Sequence, residues 1–208
     1  MTHHVVIFSG GPVPLSLPEL DADFVIAADH GADHALKFGY GVDLLVGDLD
    51  SVTSVGESSA KKVVRHPIDK DFTDLELALS EASSLGANKV TVVGTFQGRA
   101  DHSFNNLLVL VSQEWAHMAI TVFIDESQVW VVHDSLEVVL PLGTTVSLLP
   151  VGNEASGVTT SGLQWSLHDE SLLLGEGRGM SNCSVQEKVG VSVRSGVLLV
   201  FANQAGKE

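Results

Sequence analysis

Basic residues are scarce: 11 Lys and Arg stand against 26 Asp and Glu, leaving a net charge of −15 at pH 7 with His neutral. General binding to a nucleic-acid backbone needs Lys and Arg to displace counterions, so that role is excluded, and an anionic substrate must be held by a local device. Cysteine is scarcer still. Cys183 alone rules out an intramolecular disulfide framework and a Cys-based zinc cluster, and it suits a reducing compartment. No run of about 18 apolar residues exists to span a bilayer, and the short apolar stretch at 5–8 lacks the basic lead of an export signal. A cytoplasmic protein without a membrane partner is expected. Repeats, heptads and charged tails are missing, which removes the usual marks of a scaffold. So are the G-x-x-x-x-G-K-[ST] phosphate loop and the G-x-S-x-G nucleophile elbow. Apolar residues are plentiful: at 44% hydrophobic and 18% charged, 208 residues can bury one large core or two small ones.

The texture of the chain changes near residue 125. Before it, short apolar runs at 4–8, 24–28, 43–46, 63–65, 90–93 and 120–124 read as buried strands, and segments at 32–38, 73–85 and 103–116 have helical period. Strand and helix alternate, as in a parallel sheet covered by helices. Thr73-Asp74-Leu75-Glu76 is a capping box for one helix, with Leu75, Ala78, Leu79, Ala82 and Leu85 along its inner face and Gly86 as its stop. The next helix has Asp101 as its expected N-cap and Phe104, Leu107, Leu108, Val111 and Trp115 as its expected buried stripe. From about Gln128 helical period is gone. Strand-like runs at 129–132, 137–140, 144–149, 158–160, 171–174, 189–193 and 197–202, separated by Gly, Asn, Asp and Ser, predict a small antiparallel sandwich or barrel.

Three clusters carry chemistry. Leu44-Leu45-Val46-Gly47-Asp48-Leu49-Asp50-Ser51 is an apolar strand ending in two acids at i and i+2, which in extended chain share one face. They fall beyond the carboxyl end of a strand, where open α/β sheets bind ligands; a solvated acidic turn is the alternative. Asp69-Lys70-Asp71-Phe72-Thr73-Asp74 precedes the capped helix. Its acids either complement the helix dipole or place oxygens on Mg²⁺, with the Lys70 ammonium on phosphate. Two acidic clusters, each after a strand of one sheet, favour the metal. The third is Gly94-Thr95-Phe96-Gln97-Gly98-Arg99-Ala100-Asp101-His102. Arg99, beside a helix N-terminus, is either a phosphate clamp or the partner of Asp101 in a salt bridge. Gly10-Gly11-Pro12 could admit a nucleotide or be a plain turn. His30 and His34 have i, i+4 spacing but lack the Glu and the third ligand of a zinc site.

In order, Ala28-Asp29-His30-Gly31-Ala32, Gly47-Asp48-Leu49-Asp50-Ser51, Asp69-Lys70-Asp71-Phe72-Thr73-Asp74 and Gly98-Arg99-Ala100-Asp101-His102, with Asn105 or Asn106 following, resemble the thiamine pyrophosphokinase family. Thr160-Ser161-Gly162-Leu163-Gln164-Trp165 and Met180-Ser181-Asn182 are similar to that family's thiamine-contacting segments. The resemblance implies a Rossmann-like, mostly parallel α/β domain over 1–125 that binds ATP and Mg²⁺. An antiparallel β-sandwich over 126–208 would bind thiamine and form a homodimer with active sites between subunits. The implied reaction moves the pyrophosphoryl group of ATP to the hydroxyethyl group of thiamine, giving thiamine diphosphate and AMP. Asp48, Asp50 and Asp71 would hold Mg²⁺, and Asp29, Gly31, Asp48, Lys70, Thr73, Arg99 and Asp101 would face ATP. Asp101, Trp165, Ser181 and Asn182 would face thiamine; Asp71, Asp50 and Arg99 would be catalytic, with Asp71 or Asp50 the candidate acceptor of the alcohol proton. Two positions depart from the family pattern: His30 and Gln97 replace its usual glycines. The rivals are a related Mg-dependent pyrophosphokinase acting on a pterin alcohol, and a sensor that binds thiamine or nucleotide without turnover.

Overall fold

The computed structural model describes residues 3–95, 99–124 and 127–203, which form a strand-rich fold with few helices. It divides into two compact units, at residues 1–125 and 126–208.

The first unit contains, in chain order, β1 (His4–Phe8), β2 (Phe24–Ala28), α1 (Gly31–Lys37), β3 (Val42–Gly47), α2 (Ser54–Ser59), β4 (Ala60–Arg65), α3 (Asp74–Ser84), β5 (Lys89–Val93), α4 (Ala100–Leu110) and β6 (Ala119–Ile124). The strands lie in the order β4-β3-β2-β1-β5-β6, and every pairing between them is parallel. The apolar runs explain the centre of this arrangement, whereas β4, whose run at 63–65 is expected to be buried, is an edge strand with mostly exposed side chains. All five residues of β1 are buried, as expected of a strand with neighbours on both edges and helices over its faces. A core of Val6, Phe8, Val25, Ala27, Ala32, Ala35, Val42 and Leu45 joins α1 to β1, β2 and β3. The chain leaves β1 in one direction through β2 to β4 and returns on its other side with β5. A crevice therefore opens at the carboxyl ends between β1 and β5. Parallel strands send all their following loops to that same edge, so the three clusters gather there.

The start of α3 follows from its own residues, whereas α4 and α2 differ from what their sequences predict. Thr73 caps α3 with both halves of the capping box: its hydroxyl accepts from the Glu76 N–H at 3.3 Å, and the Glu76 carboxylate accepts from the Thr73 N–H at 2.7 Å. The N-cap of α4 is Arg99 and not Asp101, which lies in the first turn, and the helix stops at Leu110 before a short 3-10 turn at Gln113–Trp115. Val111 and Trp115 are buried, but Phe104 and Leu108 are 65% and 44% exposed. The helix α2, which no apolar period announces, is capped by Thr53.

The second unit contains β7 (Ser127–Val132), β8 (Ser135–Val139), β9 (Thr145–Ser161), β10 (Glu170–Leu173), β11 (Asn182–Cys183), β12 (Lys188–Ser192) and β13 (Ser195–Asn203). All pairings are antiparallel, in the order β7-β13-β9-β12-β8, with β10 and β11 also on β9. The runs at 144–149 and 158–160 are two ends of the single strand β9. Gly152 and Gly157, at φ 98° and 67°, are the conformations that let it bend and pass from β13 to β12 without a break. Trp130, Leu148, Val158, Leu172, Val191 and Leu198 pack in its core. No described helix is long and apolar enough to cross a membrane.

Candidate functional site

The first site grows from the ends of β2 and β3. The buried β3 finishes at Gly47, after which the chain is not extended: Leu49 takes φ 64° and remains buried. Asp48 and Asp50 therefore meet through a tight turn, in which the Asp50 N–H donates to Asp48 Oδ1 at 3.2 Å, rather than through strand alternation. Asp29, directly after β2, joins them from the neighbouring strand. Its own N–H bonds the Val46 carbonyl at 2.9 Å, and φ of 53° turns its side chain toward the pair. One carboxylate oxygen each from Asp29, Asp48 and Asp50 lies within 4.8 Å of the others. Asp29 entered the expectations as a nucleotide contact only. The signal that could have found it is register, because β2 and β3 are parallel neighbours whose ends coincide.

These acids are crowded. Burial raises Asp29 above the usual carboxylate range, opposed by a 2.6 Å hydrogen bond from Ser51 Oγ and reinforced by Asp74, Asp48 and Asp50. The Asp29 Oδ1 atom is buried without a hydrogen-bond partner. Lys70, only 13% exposed, places Nζ 3.4 Å from Asp48 Oδ2 and 3.1 Å from Asp74 Oδ1. Burial lowers the Lys70 ammonium's pKa, but Asp74 and Asp48 outweigh it and the net direction is upward. Asp71 is exposed, outside the described group of three acids that could share an ion. The Thr73 hydroxyl is committed to its cap.

A cleft of about 930 Å³ extends along this edge, lined by Ser9, Gly10, Gly11, Asp29, Ser51, Lys70, Thr73, Thr95, Arg99, Asp101 and Asn106. Ile68, Phe72, Phe104 and Leu108 line it too. This accounts for the exposure of two residues expected in the core: the α4 stripe faces a cavity there. Asn106 Nδ2 donates to the Thr95 carbonyl at 3.0 Å, tying α4 to the loop after β5. Arg99 and Asp101 pair at 2.6 Å, both well exposed, and that pairing holds the Asp101 carboxyl down to about 2. Phe96, Gln97 and Gly98 lie outside the described residues.

At the other departure, His30 has φ −56° and ψ −13°, which any residue adopts. The neighbouring Gly31 is where a side chain cannot go, since a Cβ there would sit 1.9 Å from the Phe8 carbonyl oxygen. The histidine therefore replaces a glycine without strain, and the close approach of α1 to β1 is kept.

In the second unit Trp165 is 59% exposed, so it is not a core residue. Its backbone is clamped by Asn182: Oδ1 accepts from the Trp165 N–H at 3.1 Å and Nδ2 donates to the Trp165 carbonyl at 2.7 Å. The same Oδ1 accepts from the Cys183 N–H at 2.9 Å, so the buried Asn182 amide is spent on positioning. Ser181 is exposed at φ 57°, its N–H held by Ser147 Oγ at 3.0 Å.

A crossover parallel sheet with an acidic, cation-ready cluster beside a cleft of about 930 Å³, followed by a β-unit presenting a clamped tryptophan, defines a two-unit protein of the nucleotide-handling class. The family model for the thiamin pyrophosphokinase catalytic domain matches residues 19–124, and that for the thiamin pyrophosphokinase vitamin B1 binding domain matches residues 131–198. The chain belongs to the thiamin pyrophosphokinase family. It is 28% identical over 187 residues to thiamine pyrophosphokinase 1 of Arabidopsis thaliana, covering 79% of this chain and 66% of that one, so it spans about two thirds of that relative's length. To the thiamine pyrophosphokinase of Bacillus subtilis it is 24% identical over 94% of this chain and 96% of the relative. The crystal structure of a Bacillus subtilis thiamine pyrophosphokinase shares the fold with a TM-score of 0.83 at 21% identity, covering 98% of this chain and 100% of that one. That of Candida albicans gives 0.74 at 14%, covering 98% and 90%.

Proposed function

We propose that this chain is a thiamine diphosphokinase: it transfers the pyrophosphoryl group of ATP to the hydroxyethyl oxygen of thiamine, releasing AMP. The observation that carries this reading is the meeting of Asp29, Asp48 and Asp50, with Asp29 of that trio and Lys70 lining the cleft. In this reading the first unit is the Rossmann-like catalytic domain, and the second is a sandwich serving thiamine and a homodimer. A cytoplasmic setting, where ATP is abundant, suits it.

The donor set fits Mg²⁺, a hard cation that takes oxygen ligands: three carboxylates converge, and one of their oxygens is buried with no hydrogen-bond donor. Asp29, Asp48 and Asp50 would hold it, with the exposed Asp71 as the further ligand implied by the resemblance. When bound, the ion neutralises charge on the transferring phosphates. The protein's own part is positioning. Lys70 and Arg99 offer N–H donors to phosphate oxygens, and Thr73 orders the amino end of α3, whose dipole favours anions. The thiamine oxygen attacks the β-phosphorus in line as the bond from that phosphorus to the α,β-bridging oxygen breaks, and AMP departs with that oxygen. The alcohol proton passes to Asp50 or Asp71. Thiamine is an aromatic cation, and the exposed indole of Trp165 can stack on it for about 0.5–2 kcal/mol.

The test is AMP release with ATP, Mg²⁺ and thiamine, beside reactions lacking thiamine or containing a pterin alcohol. AMP that depends on thiamine and matches thiamine diphosphate in amount is expected. Turnover of the pterin alcohol alone, or thiamine binding without AMP, would overturn the reading. The match of the second unit to a vitamin B1 binding domain disfavours the pterin alcohol.

A further inference from the structure

Both carboxylate oxygens of Asp48 are engaged by the protein itself: Oδ1 by the Asp50 N–H at 3.2 Å and Oδ2 by Lys70 Nζ at 3.4 Å. Each carboxylate oxygen has a second lone pair, so the Asp50 N–H can stay while Asp48 takes a divalent cation, but the Lys70 ammonium at Oδ2 is a like charge that such an ion must displace. The Asp50 N–H is part of the turn that brings the two acids together, so losing it would scatter the ligands. The Lys70 contact is longer than the ~2.7–2.9 Å of a strong charge-assisted bond, and the ammonium has a second anchor, Asp74 Oδ1, at 3.1 Å. Lys70 is thus tethered at the first turn of α3 but held loosely at Asp48. Its four-carbon side chain has several rotatable bonds, so the ammonium can turn between partners without the backbone moving.

We infer that Lys70 is an exchangeable internal cation, which neutralises the acidic cluster while it is empty and yields Asp48 to the entering divalent ion as its ammonium turns to the nucleotide phosphates. This rests on the metal and ATP reading above and deepens it. The two halves of the exchange have opposite signs. Toward a bare divalent ion Lys70 is a competitor, both by occupying Asp48 and by like-charge repulsion; toward the metal–nucleotide complex it is an attractive partner. An ordinary structural lysine would support both kinds of binding. A simple phosphate clamp would leave the bare ion untouched.

The test uses the full chain and Mn²⁺ as the probe, counting free Mn²⁺ by electron paramagnetic resonance with and without a non-hydrolysable ATP analogue. Lys70→Met should bind Mn²⁺ alone on the order of tenfold more tightly than the unaltered protein, the size expected for removing one near charge at a half-buried site. It should bind Mn²⁺ with the analogue on the order of tenfold more weakly. Lys70→Gln, which keeps a hydrogen-bond donor for Asp74, should move both affinities in the same directions, and Lys70→Arg should restore the original order. Circular dichroism establishes that each variant is folded, and the Gln variant carries the test if the Met variant is not. Unchanged or weaker binding of Mn²⁺ alone by both neutral variants would overturn the exchange while leaving the metal site intact. Failure of the unaltered protein to bind Mn²⁺ would remove the metal reading and the exchange with it.

Discussion

Asp29 turns into the cleft from a left-handed backbone conformation, accepts from Ser51, and has Asp48, Asp50 and Asp74 as neighbours of its own sign. Such crowding is costly in an empty site and useful to a dication. Asp29→Asn should therefore stabilise the metal-free protein at pH 7, raising its Tm by on the order of 2–4 °C if about 1 kcal/mol of repulsion is relieved. It should also weaken Mn²⁺ binding at least tenfold. Melting in the presence of a chelator, paired with a Mn²⁺ titration, checks both halves; a destabilised variant would mean that Asp29 serves the fold rather than an ion. The residue types of the site were legible from the motifs. The trio itself was not, because Asp29 and Asp48 are brought together by the pairing of β2 with β3 and not by local spacing.

Among the elements, α3 is the one whose beginning is written in its own residues. Thr73 and Glu76 exchange hydrogen bonds across the first turn, and Leu75, Ala78, Leu79 and Ala82 are buried as their period requires. Thr73→Ala should cost about 1 kcal/mol of stability, and Thr73→Ser should restore it, as read from urea unfolding. A Ser variant as unstable as the Ala variant would show that the methyl, not the cap, matters. Where helical period failed, other demands on the surface had intervened. Phe104 and Leu108 in α4 follow the stripe of a buried helix, yet they line a cleft. In β9, glycines that usually mark turns serve as bends within one long strand.

At the scale of the whole molecule, three histidines share one sign of response to pH. Burial holds His4, His34 and His133 below the ordinary value of 6.5. The folded protein keeps them neutral where the unfolded chain already takes up protons. Their contribution to stability is therefore complete above about 6.5 and is lost as pH falls from there toward the lower folded values. Tm should drop by several degrees between pH 7.5 and 5.5, and His34→Gln should flatten that dependence in calorimetry. A Tm that rises over this range would contradict the burial of these rings in solution. His4 illustrates the cause: its two ring nitrogens lie 2.6 Å from the Asp21 carbonyl oxygen and 2.8 Å from Thr91 Oγ1, an arrangement suited to a neutral ring.

Local interactions are what the sequence by itself determined here: the buried central strands, whose apolar runs need no partner to be recognised, the capped start of α3, and the acids and cations placed at strand ends; that β4 lies exposed at the sheet edge was not among them. Burial free energy and short-range hydrogen bonds act between near neighbours, so their traces survive in a linear reading. Only the tertiary structure decided which strand ends coincide, that Asp29 completes a trio with Asp48 and Asp50, that Lys70 stands between Asp48 and Asp74, and that Trp165 is presented outward by Asn182. Each of those facts depends on the register of elements distant in sequence, and register is set by the summed packing of many residues rather than by the ones that meet.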